Sequence, residues 1–429
     1  MDRQPGQAPV RVRQSQRRGG GGSWSRTKAV GWTAGLTFVV ASSALAFSLT
    51  RAAAGRAAFT PAQAFTPLQA MAPPIAAPSS PAAPGSGSGT QLTVSPARAG
   101  GPTLAQMVGQ KLVVAMKGFT PSADLLGRIS RGEIGGVILV GSNIATRAQL
   151  TALTQALRGT AAAGGRPPLL IGIDQEGGPV KRISWVPPTI SPAQLGATGT
   201  ASMALSQGAE TAAALHTLGI DVDFAPVADV PATAASFMYR DHRVFSFDAK
   251  RTAFLADAFA TGLESRGVLP SMKHFPGIGY ATRNTDSSVV TIGASRAALA
   301  PGLLPYRTAI AHHIPLVMLS NATYKALDPL NAAGWSYAIG FTLLRHELGF
   351  TGVTITDSLD GTAHARGVTT SGLAVRAAMA GTDMILTTGS EASSRQIYDA
   401  LLRAAGQGSI PTTRLRASYS RIVRLKAGL

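Results

Sequence analysis

Eight short apolar runs, separated by helical stretches, are the feature that most constrains the fold of this chain. The runs are Lys111–Met116, Gly136–Gly141, Leu169–Asp174, Val222–Val230, Leu269–Phe275, Leu316–Asn321, Val353–Asp357 and Met384–Thr388. Most of them are almost continuously apolar, which is typical of parallel strands covered on both faces. Eight such strands alternating with helices over residues 102–429 predict an α/β protein with a single (β/α)₈ barrel.

The stretches between these runs have the patterns of helices. Four of the gaps are filled by Met203–Leu218, Arg251–Ser265, Thr342–Leu348 and Leu373–Ala380, and a glycine precedes the next strand at Gly219, Gly267, Gly349 and Gly381. A glycine at that point is the usual left-handed end of a helix. A doubly wound open sheet is the alternative arrangement, but it would usually carry a glycine-rich phosphate loop after its first strand. The sequence has no such loop.

Residues 1–101 differ in composition from the rest of the chain. Residues 1–28 are basic and glycine-rich, which predicts a disordered cytoplasmic leader. Residues 29–50 contain no charged side chain, and a helix of this length spans the roughly 30 Å of membrane hydrocarbon. Because the basic flank comes first, the barrel is expected outside the cytoplasm, anchored in the membrane or secreted if the segment is a cleaved signal peptide. Residues 51–101 are rich in Ala, Pro, Ser and Gly, which predicts a linker.

Charge and cysteine content narrow the classes of function. The chain has 39 Lys and Arg against 21 Asp and Glu, a net charge of +18, and nine of the basic residues lie within residues 1–56. Because the sequence has no nucleic-acid-reading motif, we interpret the excess as a basic leader and a surface suited to an anionic cell wall. The absence of cysteine excludes disulfides and thiolate chemistry. No metal, cofactor or nucleic-acid partner is predicted, and the oligomeric state is left open.

Polar residues follow five of the eight predicted strands, at the end where barrel enzymes carry their active sites. They include Asp174 after the third strand, Lys273 and His274 at the end of the fifth, and Asp357 at the end of the seventh. A single aspartate at a strand end is more often a helix cap than a catalyst. Capping does not explain why so many polar residues fall on the same rim. The pattern therefore predicts one shared site.

These residues stand in segments that resemble glycoside hydrolase family 3. DQEGGPVKR is similar to the family's D-x-E-G-G-R-V-x-R segment, KHFPGIG to K-H-F-P-G-H-G, and ITDSLDG to [ST]-D-x-L; DFAPVADV, HRVFSFD and AGTDMIL also fit in order. The resemblance covers residues 104–429 and extends to the single-domain β-N-acetylhexosaminidase branch. It implies a retaining β-glycosidase that acts on GlcNAc-containing glycans or muropeptides derived from peptidoglycan.

The resemblance also implies a role for each matching residue. Asp357 matches the nucleophile, an ionised carboxylate that attacks the anomeric carbon. The residues that match the family's sugar-binding set are Asp174, Arg182, Arg243, Lys273 and His274. Arginine and lysine donors suit a neutral, hydroxyl-rich ligand and require no metal.

The chain departs from the family pattern at the residue that delivers the proton. The branch normally carries D-S-H in the loop after K-H-F-P-G-H-G, whereas this chain keeps Asp286 and Ser287 and has Ser288 in place of the histidine. The loss of a positioned general acid typically costs about 10² to 10⁴ in rate. Pro179 and Ile278 also stand where the family has Arg and His.

Three interpretations of this departure remain open. In the first, another acid replaces the histidine, either Asp286 with a pKa raised by burial or a rim residue among Asp241, His242 and His364. In the second, the enzyme acts only on sugars whose leaving group needs little protonation. In the third, the barrel binds wall glycan without cutting it. The retained Asp357 favours activity, because a pure binding protein gains nothing from a carboxylate beside the anomeric carbon.

Overall fold

The computed structural model describes residues 101–429, and eight parallel strands form the centre of this part of the chain. The strands are β1 (Leu112–Ala115), β2 (Gly136–Leu139), β3 (Leu170–Ile173), β4 (Val222–Asp223), β5 (Leu269–Phe275), β6 (Leu316–Leu319), β7 (Val353–Thr356) and β8 (Ile385–Thr387). They pair in chain order, and β8 pairs with β1. A parallel bridge between Ile355 and Met384 links β7 to the start of β8. The predicted (β/α)₈ barrel is confirmed.

Helices surround the barrel and connect its strands. The α-helices are Leu104–Gln110, Ala123–Arg131, Arg147–Ala163, Pro192–Thr198, Ala201–Thr217, Phe237–Arg240, Ala249–Glu264, Arg296–Leu299, Leu304–Ala311, Leu359–Ala365, Thr370–Ala380, Glu391–Gly406 and Thr412–Lys426. There are also 3₁₀ turns at Gly141–Asn143, Ala300–Leu303 and Ala333–Trp335, and a π-helix at Ala338–Glu347. The helix predicted at Thr342–Leu348 lies mostly in this π-helix. Small sheets are formed by Gln175–Gly177 with Val180–Lys181, and by Thr291–Ile292, Thr323–Tyr324 and Asp328–Ala332.

The barrel strands are buried on both faces, which explains their continuous apolar runs. In β1, Leu112 and Val114 pack in the core between the barrel and its helices, whereas Val113 and Ala115 pack with Phe224 inside the barrel. The helix ends also follow the prediction, since all four glycines before the strands have φ between 72° and 97°. Local sequence therefore specifies both the strands and the points where the helices end.

The fourth strand is shorter than its apolar run. The sequence predicts a strand over Val222–Val230, but β4 ends at Asp223, and beyond it the pairing continues only irregularly, through single backbone hydrogen bonds and a bridge from Val227 to Lys273. Pro226 has no N–H to donate to the ladder, so regular pairing stops there. The chain then leaves the sheet and brings Asp229 beside the end of β5.

A buried ionic network closes the amino end of the barrel. Asp383, which precedes β8, accepts hydrogen bonds from Arg345 and from Arg421, with 2.7 Å between its Oδ1 and the Arg421 nitrogen. Lys111, which precedes β1, donates to the Asp383 carbonyl oxygen at 2.9 Å. Burial lowers the pKa of Lys111 to about 8, although the Asp383 charge opposes this. The network attaches the last helix, Thr412–Lys426, to the barrel.

A second buried lysine attaches the same helix. Lys426 Nζ donates to Gln110 Oε1 at 2.6 Å and to the Gly135 carbonyl oxygen. Burial lowers the pKa of Lys426 to about 7, against the opposing charge of Asp221. Lys426 therefore loses its proton at a lower pH in the folded protein than in the unfolded chain.

Within residues 101–429, no helix is both long enough and apolar enough to cross a membrane. The predicted leader, the apolar segment at residues 29–50 and residues 51–100 of the predicted linker lie outside the described residues.

Candidate active site

A pocket of about 310 Å³ opens at the carboxyl ends of the barrel strands. Two of its carboxylates follow strands directly, Asp174 after β3 and Asp357 after β7, while other charged groups reach the pocket from β5 and from loops. All seven residues that the sequence selects for the site line this pocket: Asp174, Arg182, Arg243, Lys273, His274, Asp286 and Asp357. The barrel thus brings together side chains that are far apart in sequence.

Lys273 joins two carboxylates on the wall of this pocket. Its Nζ lies 2.7 Å from Asp174 Oδ1 and 2.6 Å from Glu176 Oε1, and only 3% of its side chain is exposed. Burial favours the neutral amine, but Asp174 and Glu176 outweigh it and raise the pKa of Lys273. In turn, burial opposes ionisation of Asp174, yet the Lys273 charge keeps its pKa below the usual value. All three groups are charged at neutral pH.

Glu176 is a member of the site that the sequence reasoning missed. Arg243 binds it with both ends of the guanidinium, Nε to Oε2 at 2.9 Å and a terminal nitrogen to Oε1 at 2.8 Å. Burial raises the pKa of Glu176, but Lys273 and Arg243 reverse the effect and lower it to about 2. The signal was available, since Glu176 stands two residues after Asp174 in the DQEGG segment.

The two glycines of this segment make the turn that brings Arg182 to the pocket. Gly177 and Gly178 have φ of 90° and 59°, conformations that residues with a Cβ rarely adopt. They reverse the chain between Gln175–Gly177 and the strand that precedes Arg182. Arg182 then lies at 3.5 Å from Asp174 Oδ2, and its Nε is buried with no hydrogen-bond partner among residues 101–429. Arg182 itself lines the pocket, so its guanidinium stands beside Asp174 at the wall of the site.

His274 is oriented by a second carboxylate that the sequence reasoning missed. Its Nδ1 lies 2.8 Å from Asp229 Oδ2, while Asp229 Oδ1 accepts a hydrogen bond from the Ile278 amide at 2.8 Å. A carboxylate at Nδ1 favours a proton on that nitrogen and leaves Nε2 as the other ring position for a ligand. Asp229 thus fixes both the ring and the start of the loop that carries Asp286.

Asp357 and Asp286 approach the pocket from different elements. Asp357 follows β7, and its Oδ1 accepts a hydrogen bond from the Ser358 amide at 2.8 Å. The loop with Asp286 packs closely on the helix Leu359–Ala365. The approach is so close that a Cβ placed on Gly361 of this helix would lie 1.9 Å from the Asp286 carbonyl oxygen. Asn284 Oδ1 accepts a hydrogen bond from the Asp286 amide at 2.8 Å. The backbone therefore holds Asp286 in place.

The two carboxyl groups interact electrostatically. The negative charge of Asp357, and secondly burial, raise the pKa of Asp286 to about 7. Because residue Asp286 as a whole is exposed, the Asp357 charge is the main cause of this shift. Like charges in one site disfavour double ionisation, and the pair holds a proton near neutral pH.

The other residues considered as substitute acids lie elsewhere. Asp241, His242 and His364 are exposed, and none of them lines the pocket formed within the described part of the chain. Ser288 is also absent from the lining, whereas Ile278 is part of it. Across residues 101–429, no group of three or more His, Asp or Glu side chains is arranged to hold a metal ion.

Comparisons with known proteins agree with the fold. The glycosyl hydrolase family 3 N-terminal domain matches residues 103–425. A protein of Arthroderma benhamiae described as an uncharacterized secreted glycosyl hydrolase is 33% identical over 79% of this chain and 98% of its own length. A beta-hexosaminidase of Vibrio cholerae serotype O1 is 32% identical over 72% of this chain and 92% of its own length.

A solved structure is also similar. It is a glycoside hydrolase family 3 beta-N-acetylglucosaminidase from Paenibacillus sp. str. FPU-7, with a TM-score of 0.73 and 32% sequence identity. The alignment covers 76% of this chain and 62% of that chain.

Proposed function

Because this chain belongs to glycosyl hydrolase family 3, we propose that it is a retaining β-N-acetylglucosaminidase that acts on GlcNAc-containing glycans derived from peptidoglycan. The observation that carries the proposal is the pair Asp286 and Asp357 in one pocket, with the pKa of Asp286 raised to about 7. Retaining glycosidases use two carboxyl groups, one ionised and one protonated. The raised pKa makes Asp286 the member of the pair suited to hold the proton near neutral pH.

The reaction assigned to this pair has two steps. In the first, the Asp357 carboxylate attacks the anomeric carbon, the glycosidic bond breaks, and Asp286 gives its proton to the departing oxygen. In the second, Asp286 takes a proton from water, which attacks the same carbon and releases the sugar from Asp357. Asp286 thereby takes the role that the family assigns to the histidine replaced by Ser288.

The charged set on the pocket wall is suited to bind the sugar ring. Lys273 and Arg243 are held in place by Glu176, so their remaining N–H groups need little reorganisation when a ligand enters. Arg182 adds a guanidinium to the pocket wall, and Asp174 offers carboxylate oxygens as acceptors. Such donors and acceptors match the hydroxyl groups of a neutral sugar.

A glycan-binding barrel without hydrolysis is the second candidate function. The observation that favours it is Ser288, because a serine hydroxyl does not supply a proton as an imidazolium does. The retained Asp357 and the raised pKa of Asp286 favour hydrolysis.

An aryl N-acetyl-β-glucosaminide with a good leaving group separates the two candidates, since its departure needs little protonation. We expect the full chain to hydrolyse it, and Asp357→Ala to abolish the reaction. Asp241→Ala is the matched control, because this exposed aspartate does not line the pocket. No hydrolysis of the aryl glycoside or of a wall disaccharide, together with measurable GlcNAc binding, would establish the binding barrel instead.

Export of the protein is part of the same proposal. The Arthroderma benhamiae relative is described as secreted, and the basic leader at residues 1–28 precedes an uncharged segment at residues 29–50. We expect a full-length protein tagged at its carboxyl terminus to appear outside the cytoplasm. Its mass in the membrane and soluble fractions distinguishes an anchor from a cleaved signal peptide, and a wholly cytoplasmic protein would contradict export.

A further inference from the structure

A second cavity, of about 370 Å³, is built partly from the loop that carries Arg243. Its walls include His242 and Phe247 from this loop, Tyr239 from the short helix Phe237–Arg240 that leads into it, and Ala197 from the helix Pro192–Thr198. These residues do not line the pocket that holds Asp357, but Arg243 does. The same loop thus forms a wall of each cavity. We call the second cavity the aromatic groove.

Two aromatic rings stand open to solvent in this groove. Tyr239 and Phe247 are 40% and 47% exposed, and their ring centroids lie 4.7 Å apart with the planes tilted by 53°. Phe247 also lines a further cavity of about 160 Å³, where Tyr280 is 41% exposed. Exposed rings that line a cavity offer apolar surface that a ligand can cover. The two cavities give room for more than one ring-sized unit.

The residues that line the aromatic groove favour a neutral ligand. No Lys, Arg, Asp or Glu side chain is among its lining residues, whereas His242 and Ser246 supply hydrogen-bonding groups. His242 has a φ of 54°, a left-handed conformation that is uncommon for a residue with a side chain. A pyranose ring suits this combination, because its C–H faces cover aromatic rings while its hydroxyl groups bond to polar neighbours.

We propose that the aromatic groove binds pyranose rings of a neutral β-linked N-acetylglucosamine oligomer, as a site separate from the catalytic pocket. The inference takes the identity of the sugar from the proposed function. A second contact with the same long ligand increases the overall affinity for that ligand, because the second binding event is intramolecular. The benefit is therefore confined to oligomers and is not available to a single sugar.

The test measures how much more tightly a hexamer of N-acetylglucosamine binds than the monosaccharide. The full chain carries Asp357→Asn throughout, so that the oligomer is not consumed. We expect a preference for the hexamer that falls about tenfold in Ala197→Trp, which fills the aromatic groove, and in the double variant Tyr239→Ala and Phe247→Ala. Ala197→Trp leaves the loop with Arg243 unaltered and therefore separates loss of the groove from loss of the loop.

The matched control removes a similar aromatic pair from another surface. Tyr337 and Phe341 are 45% and 43% exposed, with ring centroids 4.7 Å apart, and they lie at the π-helix between β6 and β7. Their replacement by alanine should leave the preference for the hexamer unchanged. The proposal is overturned if the preference for the hexamer is the same in Ala197→Trp as in the protein with the unmodified groove. That result would mean that the groove is empty, or that another segment or a second copy of the chain covers it. Failure of the proposed function is distinct, since it appears as no hydrolysis of the aryl glycoside by the chain with Asp357.

Discussion

Replacement of Asp286 by asparagine tests whether this carboxyl group has taken over proton delivery. With a pKa of about 7, half of the molecules carry the proton at neutral pH. At the ordinary value of 3.8 the protonated fraction would be about one in 1,600. The raised pKa therefore increases the amount of usable acid by several hundredfold. Asparagine removes the acid but retains the size of the side chain.

The substitution should leave the loop in place, which makes the result interpretable. Asp286 contacts Asn284 through its amide and the helix at Gly361 through its carbonyl oxygen, and neither contact uses the carboxyl group. On a wall disaccharide, whose leaving group needs a proton, we expect a fall in kcat/KM of about 10² or more. On an aryl glycoside with a good leaving group, the fall should be much smaller.

The dependence of kcat/KM on pH is the decisive measurement. Since Asp286 must be protonated to act as the acid, kcat/KM on the disaccharide should decrease above about pH 7, and Asp286→Asn should remove that decrease. The Asp286 pKa measured by NMR should also fall in Asp357→Asn, because the charge that raises it is gone. The same high-pH limb in Asp286→Asn, or an Asp286 pKa that does not respond to Asp357→Asn, would refute this reasoning.

Three further predictions concern other parts of the molecule. Lys273→Met leaves Asp174 and Glu176 without their shared cation and should lower the free energy of unfolding by about 3–5 kcal/mol in urea titrations; a loss below about 1 kcal/mol would contradict the network. The pKa of Lys426 is about 7 in the folded protein and 10.5 in the unfolded chain, so between pH 7 and pH 10.5 the unfolded state binds more protons. The free energy of unfolding should therefore rise with pH in this range, by up to about 1.4 kcal/mol per pH unit. Lys426→Met should flatten that rise, and an equal slope in both proteins would argue against it. Ser288→His should increase kcat on the wall disaccharide by about tenfold or more with little change on the aryl glycoside, and equal increases on both would point away from proton delivery.

The sequence predicted the barrel well because its strands and helix ends depend on local signals. A strand buried on both faces is recorded as a continuous apolar run, and a left-handed helix end as a glycine such as Gly219. The length of β4 was wrong because Val222–Val230 is mostly apolar, while pairing depends on the N–H that Pro226 lacks. Patterns of hydrophobicity do not record which backbone groups are able to pair.

The site could be predicted where residues stand at strand ends or match a motif of the family, as Asp357 and Arg182 do. Glu176 was missed because its importance comes from Arg243, which lies 67 residues further along the chain and meets it only in the folded barrel. Similarly, the choice among substitute acids could not be made from residue type, since Asp241 has the same side chain as Asp286 but lies outside the pocket. Three-dimensional proximity to Asp357 is what distinguishes them.

The network around Asp383 affects which substitutions this protein tolerates. Its ion pairs join Arg345, Arg421 and Lys111 at the amino end of the barrel, whereas the pocket lies at the carboxyl end. Ser288 stands in a loop at the pocket end and takes no part in that network. Substitutions in the loops around the pocket can therefore alter the catalytic groups while the interactions that hold the amino end of the barrel together stay intact.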